Sequence, residues 1–302
     1  KIGPTIFKTV KKYSFQFSRD LGAIITDTFK FIRENWKEYF LTVLKIVGPI
    51  LLVGLVVLVL YMFTMSDIFS DIENIDSNPI GFLSNIFSWI FALMFVYVLM
   101  YTLLSMSSLY FIKSYIEHNG KPIFSEVKEN VLKNIWKFLG LGFLITLTTL
   151  FGMVFCYLPG IYLLTILSLA TSIMVFEEKS IGDTFSHSFT LVKGEWWNTF
   201  GVLIVVWMLL MMLSQAFSIP AIIYQFIKMG TVMGGDDPTE IFSIFKDPIY
   251  LALNIGSYIF QFILYSIPLI STVFIYFDLN EQKNLTGTFE KIERLGTTNT
   301  EE

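Results

Sequence analysis

One charged side chain, Lys45, stands inside the long apolar stretches of this chain. An ammonium ion near the centre of a membrane helix costs about 2.5–3.5 kcal/mol. Two readings of it stay open. It binds a substrate or counter-charge in an internal cavity, or its stem bends toward the headgroups so that the charge stays wet. Gln215, Asn254 and Gln261 lie in later apolar stretches and pose the same choice between a polar site and hydrogen bonds joining helices. His118 and His187 are the only histidines, and neither has a Cys or His partner at metal-ligand spacing. The single cysteine, Cys156, excludes an intrachain disulfide and reads as buried structural filler. No phosphate-cradling glycine loop, nucleophile elbow or zinc-protease helix motif occurs. Catalytic residues, metals and cofactors are therefore not expected.

The elements that must position these residues follow from composition. Hydrophobic residues make up 54% of 302 positions and charged residues 15%, with a mean hydropathy of +0.64, so lipid is the expected solvent for most of the chain. Residues 46–66, 77–112, 138–176, 196–227 and 248–277 contain no Asp, Glu, Lys or Arg. About 20 helical residues cross ~30 Å of hydrocarbon. Run 138–176 is long enough for two spans, with the turn expected at Pro159-Gly160. The fold class is thus all-α integral membrane with six transmembrane helices. A membrane barrel would need strict alternation, which these runs lack. Residues 1–37 are polar, basic and periodic, unlike a cleaved signal peptide. Pro49, Pro220 and Pro268 are expected to kink spans, and Gly140, Gly142 and Gly152 to permit close helix approach.

Charge sets the expected orientation. Lys and Arg concentrate before the first span, between the second and third, between the fourth and fifth, and after the sixth; Lys228 and Lys246 alone fall on the opposite side. By the positive-inside rule both termini face the cytoplasm. The opposite loops carry Asp67, Asp71, Glu73, Asp76, Asp236, Asp237, Glu240 and Asp247. Their spacing matches no calcium loop, and they read as solvated segments depleted of positive charge. A net charge of -4 gives no reason to expect a nucleic-acid partner.

A repeated design emerges from the tryptophans. In "IGDTFSHSFTLVKGEWW", Ile181, Phe185, Phe189 or Ser188, Val192 and Trp196 recur at helical spacing, forming an amphipathic helix expected to lie on the membrane before Gly194 lets the chain bend. Trp196 and Trp197 then anchor the start of a span at headgroup level. "LGAIITDTFKFIRENW" repeats the pattern up to Trp36, and "FSEVKENVLKNIW" up to Trp136 with a register looser by one residue. The chain therefore reads as a single membrane domain of three units, 13–115, 121–178 and 181–283. Each comprises an interfacial helix, a tryptophan anchor and a transmembrane hairpin. A cytoplasmic tail, 284–302, begins a partial interfacial helix with Leu285, Phe289, Ile292 and Leu295.

The motif "SFTLVKGEWWNTFG" resembles the Ser, Leu-Val-Lys-Gly, Trp-Trp and Gly pattern of a six-helix membrane domain. That domain occurs in bacterial glycerophosphodiester phosphodiesterases and in stand-alone YciC-like inner-membrane proteins. The resemblance implies a multi-pass protein of the bacterial cytoplasmic membrane. In fused members a separate soluble barrel carries the phosphodiester chemistry, and this sequence contains no such barrel, so that activity is not implied. The expected role is a non-catalytic interaction or scaffold component that engages membrane lipids or another membrane protein. The alternative is a small-molecule or lipid transporter with a polar site near Lys45.

Overall fold

The computed structural model describes residues 21–70, 79–232 and 238–284. The partial helix expected after residue 284 and most of the first acidic loop lie outside them. Among the described residues the chain is helical almost throughout, with no strand. Helix α1 is Leu21–Ser70, α2 is Pro79–Glu117, α3 is Phe124–Phe155, α4 is Tyr157–Leu167 and α5 is Ala170–Glu177. Helix α6 is Ile181–Val192, α7 is Trp196–Val232, α8 is Pro248–Leu264 and α9 is Ser266–Asn284; a 3-10 helix, Pro238–Lys246, precedes α8. Six segments are long and apolar enough to cross a membrane: Gly22–Ile68, Pro79–Glu117, Phe124–Phe155, Tyr157–Glu177, Trp196–Gly230 and Pro248–Asn284.

Helix ends follow local chemistry. Ser180 caps α6 by accepting the Asp183 N–H at 3.3 Å, and its own hydroxyl donates to the Asp183 carboxylate at 2.6 Å. Gly194, at φ +90, supplies the left-handed residue that separates α6 from α7. That separation was expected at all three tryptophan anchors and occurs only here. Helix α1 runs through Trp36, and α3 through Trp136, without interruption, because neither site carries a glycine to turn the chain. Pro49 and Pro220 lie inside continuous helices. Around Pro268 the last apolar run divides at Tyr265 into α8 and α9. The proline then sits in the first turn of α9, where a missing N–H leaves no helical bond unmade.

The turn between α3 and α4 is a correction to the sequence reading. It falls on Cys156, whose backbone is extended at φ -169 and ψ 145, and Pro159-Gly160 belongs to the first turn of α4. Gly160 packs on α3 instead of turning: a Cβ there would meet the Met153 side chain at 2.3 Å and its backbone nitrogen at 3.0 Å. Cys156 itself is exposed, so it fills no core.

The chain forms two compact units. The first comprises Lys1–Ile46, Thr102–Met208 and Ser266–Glu302. Its centre is α9, with Ile270, Val273, Phe274, Ile275, Tyr276 and Leu279 almost fully buried. Phe31 meets Phe111, Tyr115 and Phe274 edge-on at 6.4, 5.4 and 6.4 Å, an arrangement that adds a specific geometry to apolar burial. Hydroxyl pairs stitch the same layer: Tyr39 with Ser108 at 2.6 Å and Thr28 with Ser271 at 3.2 Å.

The second unit comprises Val47–Tyr101 and Leu209–Tyr265. Gly54 lets α1 approach α2, since a Cβ there would lie 2.9 Å from Met100 and 3.1 Å from Val96. Phe217 and Phe260 stack at 4.3 Å between α7 and α8. Met62, Ile244 and Tyr250 form a small core beside the 3-10 helix, and Ser66 donates to the Phe242 carbonyl at 2.9 Å.

Candidate functional site

The polar candidates divide between the units. Lys45 belongs to the first, on the exposed side of α1, with its ammonium 5.2 Å from the centre of the Phe124 ring. This is a cation–π contact at an exposed site. Gln215, Asn254 and Gln261 all belong to the second unit. Gln215 is exposed on α7, and Asn254 donates back to the Tyr250 carbonyl of its own helix at 2.8 Å. Gln261 reaches from α8 to the Ser218 hydroxyl of α7 at 3.0 Å, and Ser257 donates to the Phe217 carbonyl at 3.0 Å. These two bonds flank the Phe217–Phe260 stack. Together they form a polar clasp between adjacent helices, and neither unit contains the whole set of four.

The tryptophans differ from one another. Trp36 and Trp197 are exposed, and Trp136 is 80% exposed. Trp196 is partly covered, stacked on Phe200 at 5.0 Å and on Tyr162 at 5.6 Å. The glycines differ too. A Cβ at Gly152 would lie 3.0 Å from the Gly160 backbone and one at Gly140 3.1 Å from the Ile181 side chain, whereas one at Gly142 would meet open space.

Two carboxylate centres were not anticipated. In the second unit Asp247 accepts from the Tyr224 hydroxyl at 3.0 Å and pairs with Lys228 at 3.0 Å, while its other contacts cap α8 through the Ile249 and Tyr250 N–H groups at 2.9 and 3.2 Å. Desolvation pushes this carboxyl up, but the Lys228 ammonium, the backbone N–H of Tyr250, the Tyr224 hydroxyl and the N–H of Ile249 outweigh it and hold it at about 2. Nearby, Lys246 pairs with Asp67. Asp67 and Asp247, read from the sequence as solvated acids, are therefore engaged in ion pairs. The local signal for Asp247 was present: Asp followed by Pro248 is an N-cap followed by the favoured first helical residue.

In the first unit Glu177, at the end of α5, accepts from the Tyr276 hydroxyl at 3.1 Å and pairs with Lys179 at 2.6 Å. The His187 Nε2 of α6 stands 3.3 Å from the same carboxylate. Next to it, Lys113 binds Glu178 at 2.5 Å and holds that carboxyl below its ordinary range. Lys283 of α9 donates to the Thr190 and Lys193 carbonyls at the end of α6, where a cation suits the helix dipole. Apart from the neighbouring Glu177–Lys179 pair, the joined residues lie ten or more positions apart in sequence, so no local pattern announces them. Among the described residues no group of three or more His, Cys, Asp or Glu could hold a metal ion.

These contacts brace helix ends and the seams between helices. No family model, no curated protein and no solved structure matches the chain.

Proposed function

We propose that the chain is a non-catalytic, multi-pass membrane protein that acts as an interaction or scaffold component, engaging membrane lipid or another membrane protein. The observation that carries this reading is the use made of its intramembrane polar groups. Gln261, Ser257 and Ser218 join two neighbouring helices, and Lys45 rests on an aromatic ring at an exposed flank. A carrier site would gather such groups around a shared interior space. Within the second unit these groups are used to join α7 to α8, which favours the scaffold reading over the transporter reading. The exposed tryptophans, Trp36, Trp136 and Trp197, supply amphipathic contact surface of the type that suits headgroups and partner helices.

The charge distribution supports cytoplasmic termini, the three tryptophan anchors support an organisation in three repeated units, and the motif at residues 188–201 supports the resemblance to the six-helix membrane domain of glycerophosphodiester phosphodiesterases and YciC-like proteins. A bacterial cytoplasmic membrane is the matching location. The test is purification from native membrane in mild detergent, with mass spectrometry of what co-purifies. The reading expects one lipid class or membrane protein in fixed ratio, retained by the wild type and lost when Trp136 and Trp197 are both changed to Ser. Co-purification of bulk lipid alone, in the proportions of the membrane, would contradict it.

A further inference from the structure

The apolar run 138–176 is long enough for two crossings, yet its contacts place its tip at the wrong end of a neighbouring helix for that. Trp196 is the first residue of α7, directly after Glu195. It stacks on Tyr162 at 5.6 Å, and its indole N–H donates to the Tyr162 carbonyl at 3.3 Å. Tyr162 lies in the second turn of α4, just past the hairpin tip at Cys156. The charged end of the hairpin, Glu177, is about 22 Å farther along at ~1.5 Å per residue. A hairpin crossing beside α7 would bring its charged end to Trp196 and carry its tip a full span away. Here the tip meets the wet end of α7.

Two further registers agree. At its base the hairpin touches α9 through Phe176 and Glu177, both on Tyr276. Lys283, about 10 Å further along α9 toward its polar end, binds the Lys193 carbonyl three residues before Trp196. Moving from base toward tip therefore follows α9 toward its charged terminus, the reverse of what a crossing hairpin requires. On the other arm, Ile123 donates to the Ser114 hydroxyl at 3.0 Å, and Phe138 packs on Tyr110 at 6.2 Å. Contacts at opposite ends of the first half of α3 thus fall one helical turn apart on α2, so α3 crosses α2 rather than running alongside it.

The tip is apolar and uncovered. Val154 is 82% and Phe155 83% exposed, Tyr157 and Leu158 are similarly open, and residues 138–176 carry no charge. Such a surface is unstable in water, and the tryptophan beside it is an interfacial residue. Resting on the membrane reading above, we propose that the α3–α5 hairpin does not cross the bilayer. It lies as an embedded arm in the leaflet where α7 begins, its tip covered by lipid acyl chains, while α1, α2, α7 and the α8–α9 segment cross. The charge distribution is the same for both topologies, because the hairpin tip has no charged loop to count.

Cys156, at the tip, reports directly. In spheroplasts and in inverted vesicles, an impermeant maleimide is applied to the wild type and to two controls in a Cys156→Ser background: Ser77→Cys in the acidic loop and Ser186→Cys on exposed α6. The two controls should label from opposite faces; their labelling from one face would defeat the crossing topology itself. Cys156 should not react from the Ser77 face, and from the Ser186 face it should react at least tenfold more slowly than Ser186→Cys. A nitroxide on Cys156 should be relaxed by oxygen more than by a water-soluble nickel chelate. Labelling of Cys156 from the Ser77 face at the control rate would show that the hairpin crosses. Labelling from the Ser186 face at the control rate, or stronger relaxation by the nickel chelate, would place the tip in water and equally overturn the proposal. Extraction of the wild type by alkaline carbonate would instead defeat the membrane reading on which it rests.

Discussion

Asp247 and Glu177 do similar work in the two units by different means. Each carboxylate gathers a tyrosine and a lysine. Asp247 also binds two backbone N–H groups and so fixes where α8 begins, whereas the partners of Glu177 are all side chains, drawn from α6, α9 and the intervening loop. The start of α8 in the second unit therefore rests on one capped junction, with the Phe217–Phe260 stack and the Gln261–Ser218 bond joining α8 to α7 farther along. The first spreads its stability over α9, its hydroxyl pairs and the Phe31 cluster, so that no one contact decides it.

Asp247→Ala should have the largest effect. It strands the first N–H groups of α8 and removes the Asp247 contacts of Tyr224 and Lys228. Hydrogen exchange should quicken across Pro248–Leu264 and Pro238–Lys246 while α9 stays protected; equal loss in both units would break the comparison. The pH dependence has a defined sign. A carboxyl held at about 2 contributes stability that is fully present above the unfolded value of about 3.9, and that is lost as pH falls through about 2. Asp247→Asn should flatten this acid limb in the second unit, as read by exchange at graded pH.

Gly160→Leu comes next. The new side chain collides with Met153, and such overpacking costs about 1–3 kcal/mol. Gly142→Leu, placed in open space, should stay within about 0.5 kcal/mol as read by thermal unfolding in detergent. Similar losses from both would mean that the α3–α4 contact is not the tight one. Glu177→Gln should cost less, about 0.5–1.5 kcal/mol, since Tyr276 keeps an amide oxygen as acceptor and the rest of the unit is unchanged. A loss matching that of Asp247→Ala would contradict the distributed account of the first unit. The smallest effect belongs to Lys45→Met. It exchanges an exposed cation–π contact for an apolar stem of similar reach, and unfolding should shift little in either direction.

How far the sequence foretold these features depends on whether the cause is local. Charge-free runs declare apolar helices because the cost of burying a charge acts residue by residue, and all six segments are present. The Ser180 start of α6 and the Gly194 bend are likewise local. Pro159-Gly160 misled because a tight turn and a tight helix crossing both demand small residues, and only the partner, Met153, tells them apart. Trp36 and Trp136 show that an amphipathic segment followed by an apolar one need not be broken between them when no residue there favours a turn. Glu177 with Tyr276, and the placement of Tyr162 on Trp196, are pairings between distant elements that no spacing encodes.

The most direct test of the central claim, that the intramembrane polar groups clasp helices and line no aqueous path, is the reactivity of Gln261→Cys in a Cys156→Ser background toward a small, water-soluble thiosulfonate from each face of the membrane. No reaction is expected from either face, with Ser77→Cys and Ser186→Cys labelling as controls. Rapid modification of Gln261→Cys from one face would place water at the α7–α8 seam and contradict the claim.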